Sequence, residues 1–426
     1  MKPGIRLGLL KDIAVTYSGT VIGSGIGFLI QIYLQKSLGP ADYGILALAT
    51  SAGSLATVLT DAGLSDAMIR FAGKYRRADP ERAMTHCTAA LLARLVLVAL
   101  VTTVGYLAAR WIAVDLYEEP DLAAPLAWVF LGMAGGALYG YWTYFIQAYE
   151  RFMVRSTVNV TLALIRLAAV AGVSAAALLT PTSMVVLDAA VNFTGFLIGL
   201  AFSPRGVLRP SGIGLDAASR DALLESWREL IPYCRFTGIL IIGDTVFNET
   251  DTLMLGHFVN ADEVGIYRVA WTYATLVTFL NIAAGSVIFP KVSQLSDRGD
   301  IGRFLREAAP ILLTLAALTV PYAVAVHFWL PWYDSRYALA VPLFYLLYLG
   351  LVADLFAGSL SLALFSLDRP GVLTWVSLLK IALNIGGNVA LIPVYGVFGA
   401  ALATLMTRIL GGIVYLAALH GSLQRG

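Results

Sequence analysis

Twelve apolar runs of about 20 residues or more organise the chain, separated by short polar segments. At a rise of about 1.5 Å per residue, 20 helical residues cross about 30 Å of hydrocarbon. The runs cover residues 13–37, 43–64, 86–112, 122–148, 153–180, 183–203, 230–258, 264–289, 306–332, 338–366, 371–394 and 396–419. Backbone polar groups in hydrocarbon must be satisfied within the segment, which selects helix for runs of this length. The longest polar connection precedes the seventh run; it carries Pro, Gly and Ser, then an amphipathic pattern from Ala217 to Leu230. The expected organisation is an N-lobe over 1–203 with helices 1–6, a cytoplasmic linker over 204–229, and a C-lobe over 230–426 with helices 7–12.

The two halves echo each other. Asp42–Ala49 reads DYGILALA and Glu263–Ala270 reads EVGIYRVA, with the acid, the Gly-Ile pair and the final Ala in register at an offset of 221 residues. Such duplication predicts lobes related by a pseudo-twofold axis, with a substrate site between the halves.

Composition agrees with the pattern. Of 426 residues, 58% are hydrophobic and 13% charged, and mean hydropathy is +0.77. Soluble domains carry about a quarter charged residues, so a polytopic membrane protein is expected. Basic residues orient it. With the N-terminus inside, the inner segments hold 20 Lys and Arg residues and the outer segments hold 3: Lys36, Arg110 and Arg336. Both termini are therefore expected in the cytoplasm, in a cell membrane. The two cysteines suggest no disulfide framework, and no His/Asp/Glu cluster has metal spacing. Without a Gly-rich phosphate loop or a nucleophile–base constellation, an enzyme, a cofactor and a nucleic-acid partner are not expected. A monomer is.

Charges inside the spans carry the functional signal. An ionised side chain at mid-membrane costs at least about 2.5–3.5 kcal/mol on insertion scales, so these groups face protein or water. Arg94, Arg166, Lys380 and Arg408 fall near mid-depth on four different helices. They suit either a cavity for an anionic substrate such as a diphosphate or a set of helix-joining ion pairs. Asp244, Asn248 and Asp251 share one face of helix seven, and Glu249 lies away from it. Asp244 has no sequence-local partner. It is the leading candidate for coupling to a proton or sodium ion, with Glu249 and Asp354 as further candidates. Asp251 and Arg268, at comparable depth on consecutive helices, are expected to form a structural ion pair. Tyr139, Tyr141, Trp142, Tyr144, Phe145 and Tyr149 read as an interfacial aromatic belt ahead of a sugar-stacking surface.

Several stretches resemble a known family. LGPADYGILALA at 38–49, DTLMLGHFVNADEVGIYRVA at 251–270, FPKVSQL at 289–295 and VYGVFGAALAT at 394–404 look like Wzx-like polysaccharide-export flippases. These form the polysaccharide transporter branch of the multidrug/oligosaccharidyl-lipid/polysaccharide exporter superfamily. The resemblance implies an all-α, MATE-like membrane fold of two six-helix lobes around a central cavity. It also implies translocation of a polyprenyl-diphosphate-linked oligosaccharide to the outer leaflet, with cationic cavity residues on the diphosphate. Arg94, Arg166, Lys380 and Arg408 fit that role by type and depth. Two other functions compete: a cation-coupled multidrug exporter of the same superfamily, and a membrane glycan polymerase or ligase. An exporter cavity would be acid-dominated, and a polymerase would carry a long outer loop.

Overall fold

The computed structural model describes residues 3–203, 217–292, 298–367 and 370–424. Residues 204–216 of the expected linker and 293–295 of the FPKVSQL stretch lie outside the described residues. Every regular element among the described residues is helical. In chain order these are α1 (Pro3–Asp61), α2 (Leu64–Tyr75), α3 (Pro80–Trp111), α4 (Ala123–Ala148), α5 (Phe152–Ala175), α6 (Pro181–Ala201) and α7 (Ala217–Phe258). They continue as α8 (Ala261–Ala274), α9 (Thr278–Val292), α10 (Arg298–Leu318), α11 (Val320–Tyr333), α12 (Ala340–Ser366), α13 (Pro370–Tyr395) and α14 (Val397–Gln424). Ten helical stretches among the described residues are long and apolar enough to cross a membrane.

Local chemistry sets the boundaries. The 59-residue α1 bends where Gly39 adopts φ 81, ahead of Pro40, which cannot donate a helical hydrogen bond. It ends at Ala62 and Gly63, both at positive φ. Thr180 caps α6 by accepting from Ser183 N at 3.1 Å, and Ser183 Oγ reciprocates on Thr180 N at 2.9 Å, with Pro181 at the first helical position. Asn260 caps α8 in the same manner, accepting from Glu263 N at 3.0 Å. The acidic turn read from the sequence is thus a helix start, where Asp262 and Glu263 face the positive end of the helix dipole.

The described residues form two compact units. The first comprises 1–38 and 49–245, the second 39–48 and 246–426. In the first, α4 packs on α6 through aromatic rings laid over glycines. Trp142 is wholly buried, and a Cβ on Gly199 would sit 2.5 Å from its ring. The indole N–H donates to Ser203 Oγ at 2.8 Å, and Tyr141 donates to the carbonyl of Cys87 at 3.2 Å. These rings are core, which corrects the belt expected from their density. Glycine on α6 opens a socket that draws them inward, and tyrosine and indole polar atoms find partners there.

The amphipathic segment before the seventh span is also resolved. Residues 217–230 are the first turns of α7. They dock on α2 and α3: Glu229 accepts from Arg82 at 2.5 Å and from Tyr75 at 3.2 Å, and lies 3.2 Å from His86 Nε2. Trp227 donates to the carbonyl of Ala89 at 3.1 Å.

In the second unit, residues 39–48 lie against the start of α8. A Cβ on Gly44 would overlap the carbonyl oxygen of Ala261, and one on Gly265 would overlap that of Pro40. Below this crossing, Ala284, Ile288, Leu355, Leu364 and Tyr415 form an apolar core joining α9, α12 and α14.

Candidate functional site

Each of the four basic residues singled out at mid-depth lies beside a carboxylate. In the first unit, Arg94 on α3 is 4% exposed and pairs with Asp61 at the end of α1. The same guanidinium nitrogen donates to Ser65 Oγ at 2.9 Å, and Ser65 in turn donates to Asp61 at 2.5 Å. The break at Ala62–Gly63 makes this possible, since it carries Asp61 and Ser65 to one point from two helices. Arg166 on α5 meets Asp188 on α6 at 2.9 Å, in a pair more than a third exposed.

The second unit gathers two cations on one acid. Lys380 Nζ lies 3.6 Å from Asp354, and Arg408 pairs with the other oxygen of the same carboxylate. Both cations lie over the ring of Phe247, at 4.9 and 5.0 Å from its centroid. A cation over an aromatic face is attracted by the ring quadrupole, more strongly where water is excluded. Arg408 is 4% exposed.

Helix seven distributes its acids differently from the expectation. Arg268 pairs with Glu249 at 3.2 Å and not with Asp251. The phase of the helices decides this. Residues 249 and 251 lie about 200° apart on α7, so only one of them faces the side of α8 that carries Arg268. Asp251 faces the neighbouring side, where Tyr267 donates to it at 2.6 Å. Asp244 lies exposed on α7.

Asp251 is instead the centre of a buried polar cluster drawn from residues far apart in the sequence. Asn384 and Asn388, one turn apart on α13, donate to one carboxylate oxygen at 3.0 and 2.7 Å. Tyr267 and Thr404 on α14 serve the other. Asn384 also donates to Thr404 Oγ1 at 3.0 Å. All five residues are buried. No basic side chain pairs with Asp251 among the described residues, and the buried Asn388 Oδ1 has no hydrogen-bond partner. A buried carboxylate is expensive unless hydrogen-bonded, paired or bound to a cation. Here the hydrogen bonds are present and the counter-charge is not. The oxygens of Asp251, Asn384, Asn388 and Thr404 form a hard-donor set of the kind that suits a small cation. Rotation of either amide would turn its carbonyl oxygen toward the carboxylate, since amide orientation is set by the hydrogen-bond network.

A model of the family described as polysaccharide biosynthesis protein matches residues 9–296, more than half the chain. The chain belongs to that family. Over 98% of its length it is 26% identical to the probable flippase AglR of Haloferax volcanii, 84% of which it covers. Over 42% of its length it is 23% identical to the probable low-salt glycan biosynthesis flippase Agl15 of the same organism, covering 39% of that protein. Among solved structures, the lipid II flippase MurJ in an inward closed conformation aligns with a TM-score of 0.72 at 14% identity. That alignment covers 96% of this chain and 87% of the MurJ chain. The eukaryotic MATE transporter AtDTX14 aligns with a TM-score of 0.65 at 13% identity, covering 97% and 95% of the two chains. At these identities the two structures speak for the fold, and the fold is the all-helical one expected. As a member of the polysaccharide biosynthesis family with ten membrane-length helical stretches among the described residues, the chain is a multi-pass membrane protein.

Two of the stretches that carried the family resemblance bracket the buried cluster: one begins at Asp251 and another ends at Thr404. Asn384 and Asn388 left a signal as well, a pair of amides one turn apart within an apolar run.

Proposed function

We propose that this protein is a flippase that carries a polyprenyl-diphosphate-linked oligosaccharide from the cytoplasmic to the outer leaflet during cell-surface polysaccharide biosynthesis, by alternating access. The observation that carries this reading is the convergence of Lys380 and Arg408 on Asp354 above Phe247, deep in membrane-length helices. Relationship to a probable flippase over nearly the whole chain supports it. A diphosphate offers to such cations the same oxygens that a carboxylate offers, with more charge. In this reading Arg94, Arg166, Lys380 and Arg408 take the diphosphate, exchanging their carboxylate partners for it. The protein is then a transporter and not an enzyme.

Twelve crossings in two lobes, over 1–203 and 230–426, remain our preferred layout. The stretch Ser18–Tyr75 has 58 residues, enough for two crossings about its bend, and α8 with α9 supplies another. The excess of basic residues on one side supports a layout with both termini in the cytoplasm. The working unit is a monomer.

Turnover is coupled to a cation, sodium or proton. Asp251, Asn384, Asn388 and Thr404 are the residues that would hold it, supported by the missing counter-charge and the unpartnered Asn388 oxygen. Asp244, Glu249 and Asp354 are the alternative coupling residues. The test of the whole reading is translocation of a fluorescent polyprenyl-diphosphate oligosaccharide in reconstituted vesicles. Export of cationic drugs with no movement of the lipid-linked glycan would replace it with the multidrug-exporter reading.

A further inference from the structure

A cleft of about 1060 Å³ runs between α3 and α7, within the first unit. Leu95 and Val96 line one wall, and Ile231, Ile239 and Ile242 the other. Val96, Ile231 and Ile239 are each more than half exposed, so the cleft is open along its side. Its floor is backbone against backbone. A Cβ on Gly238 would lie 2.6 Å from the carbonyl oxygen of Ala62, and one on Gly63 would lie 2.8 Å from the amide nitrogen of Gly238. The helices approach closely there, and the Thr237 hydroxyl, 2.5 Å from the Gly63 Cβ position, is the one side chain that meets it.

One residue breaks the apolar lining. Arg235 is the single charged side chain on the cleft, and it is exposed. It makes no hydrogen bond or ion pair among the described residues. Arg235 lies about 12 Å along α7 from Trp227 at the helical rise, and Ile242 about 10 Å further. The cation therefore stands partway along the wall, with hydrocarbon-lined length beyond it. On the orientation proposed above, that depth is near the inner-leaflet boundary, within snorkelling reach of phosphate.

The geometry points to this cleft as a binding site for the polyprenyl chain of the carrier lipid, with its phosphate end at Arg235 and its first isoprene units along α3 and α7. The inference rests on the flippase reading. Charge complementarity at Arg235 chooses the phosphate end, and an apolar lining around about 1060 Å³ chooses a long hydrocarbon chain. An isoprenoid carries a methyl branch on every repeating unit, so it fills more of a cleft of this volume than a straight acyl chain of equal length. Empty apolar space forfeits dispersion contacts, so the branched chain is the better filler.

The experiment uses the full-length protein in vesicles and a polyprenyl phosphate bearing a photoactivatable group on its chain. Labelling is expected on residues 92–99 and 231–242. Val96→Trp and Ile239→Trp, both at exposed positions, should lower it about tenfold, and Ile239→Val should not. Arg235→Gln should weaken capture of polyprenyl phosphate about tenfold, the loss of one charge-assisted contact, while capture of the neutral polyprenol stays unchanged. Excess unlabelled polyprenyl phosphate should displace the probe, and phosphatidylglycerol should not. Labelling elsewhere, undiminished labelling of the tryptophan variants, or equal displacement by phosphatidylglycerol would each overturn the inference. The same vesicles report flipping of a fluorescent lipid-linked glycan. Flipping without cleft labelling sinks the cleft alone. Cleft labelling without flipping sinks the flippase reading and leaves the chain site standing.

Discussion

Gly44 and Gly265 pack face to face, each with no room for a side chain. The amide nitrogen of Gly265 lies 2.9 Å from where a Cβ on Gly44 would stand, and the amide nitrogen of Gly44 lies 3.1 Å from the Cβ position of Gly265. Each hypothetical Cβ also meets a carbonyl, of Ala261 and of Pro40. Those two residues are separated by the same 221 positions as the glycines. The repeat in the sequence is thus a reciprocal contact in space, a local twofold made by two copies of one segment.

This contact makes a stability prediction. Gly44→Ala or Gly265→Ala should lower thermal stability by about 1–3 kcal/mol or more, because a methyl group would press on backbone that cannot rotate aside. Gly386→Ala is the control. It lies within α13 with nothing within 4 Å of its Cβ position. There the change should be neutral or stabilising by up to about 1 kcal/mol, the helix propensity difference. Melting of the purified protein in detergent checks both. Equal melting temperatures for Gly44→Ala and wild type would mean that the two segments do not touch.

Much of this was legible beforehand because hydrocarbon imposes length and apolarity on every crossing. The acidic turn and the glycine pair were visible as a repeat, although not as a contact. Partners were harder to read. Arg94 meets Asp61 and Ser65 beside a two-residue helix break, and nothing in the spacing of 61 and 94 announces that pairing. Depth alone pairs Asp251 with Arg268, whereas helical phase gives Arg268 to Glu249. Trp142 and Tyr139 look like members of an interface belt because the glycines that receive them, Gly199 and Gly195, lie on another helix.

The Asp251 cluster predicts ion-dependent stability. A cation that binds the folded state alone raises stability by about 2.7 kcal/mol at one hundred times its Kd. Sodium, in place of a large organic cation, should raise the melting temperature of the wild-type protein. Asp251→Asn should abolish the rise, and Thr404→Val should reduce it. A sodium response that survives Asp251→Asn would move the site to Asp244, Glu249 or Asp354.

A surface pair makes a pH prediction of known sign. Glu150, in the turn between α4 and α5, pairs with Arg76, which holds its carboxyl below the usual carboxylate range; Arg77 adds to this. A depressed folded-state pKa contributes stability above the unfolded value, and that contribution is lost as pH falls through the folded value. Glu150 is more than half exposed, so solvent screens the pair and the effect is of the order of 0–1 kcal/mol. Glu150→Gln should melt slightly below wild type at neutral pH and together with it in strong acid. A gap that widens on acidification would contradict the pairing.

Asp354 separates a substrate role from a structural one for the cations it holds. If Lys380 and Arg408 serve only to join helices, neutralising their carboxylate leaves buried charge behind. That costs about 3–5 kcal/mol and changes nothing about substrate affinity. If they receive the diphosphate, the carboxylate competes with it. Asp354→Asn should then bind polyprenyl diphosphate more tightly and release it more slowly, so that affinity rises while transport falls. Arg408→Ala should lower both, and Arg408→Lys should restore them in part, because a compact ammonium lacks the planar fork that meets two phosphate oxygens at once. The double variant Asp354→Asn with Arg408→Gln removes opposite charges together and should stay folded where either single change is too costly. Binding of the diphosphate lipid and its rate of translocation, measured on the same vesicles, distinguish the cases. Unchanged affinity across the set would make these residues helix-joining ion pairs and nothing more.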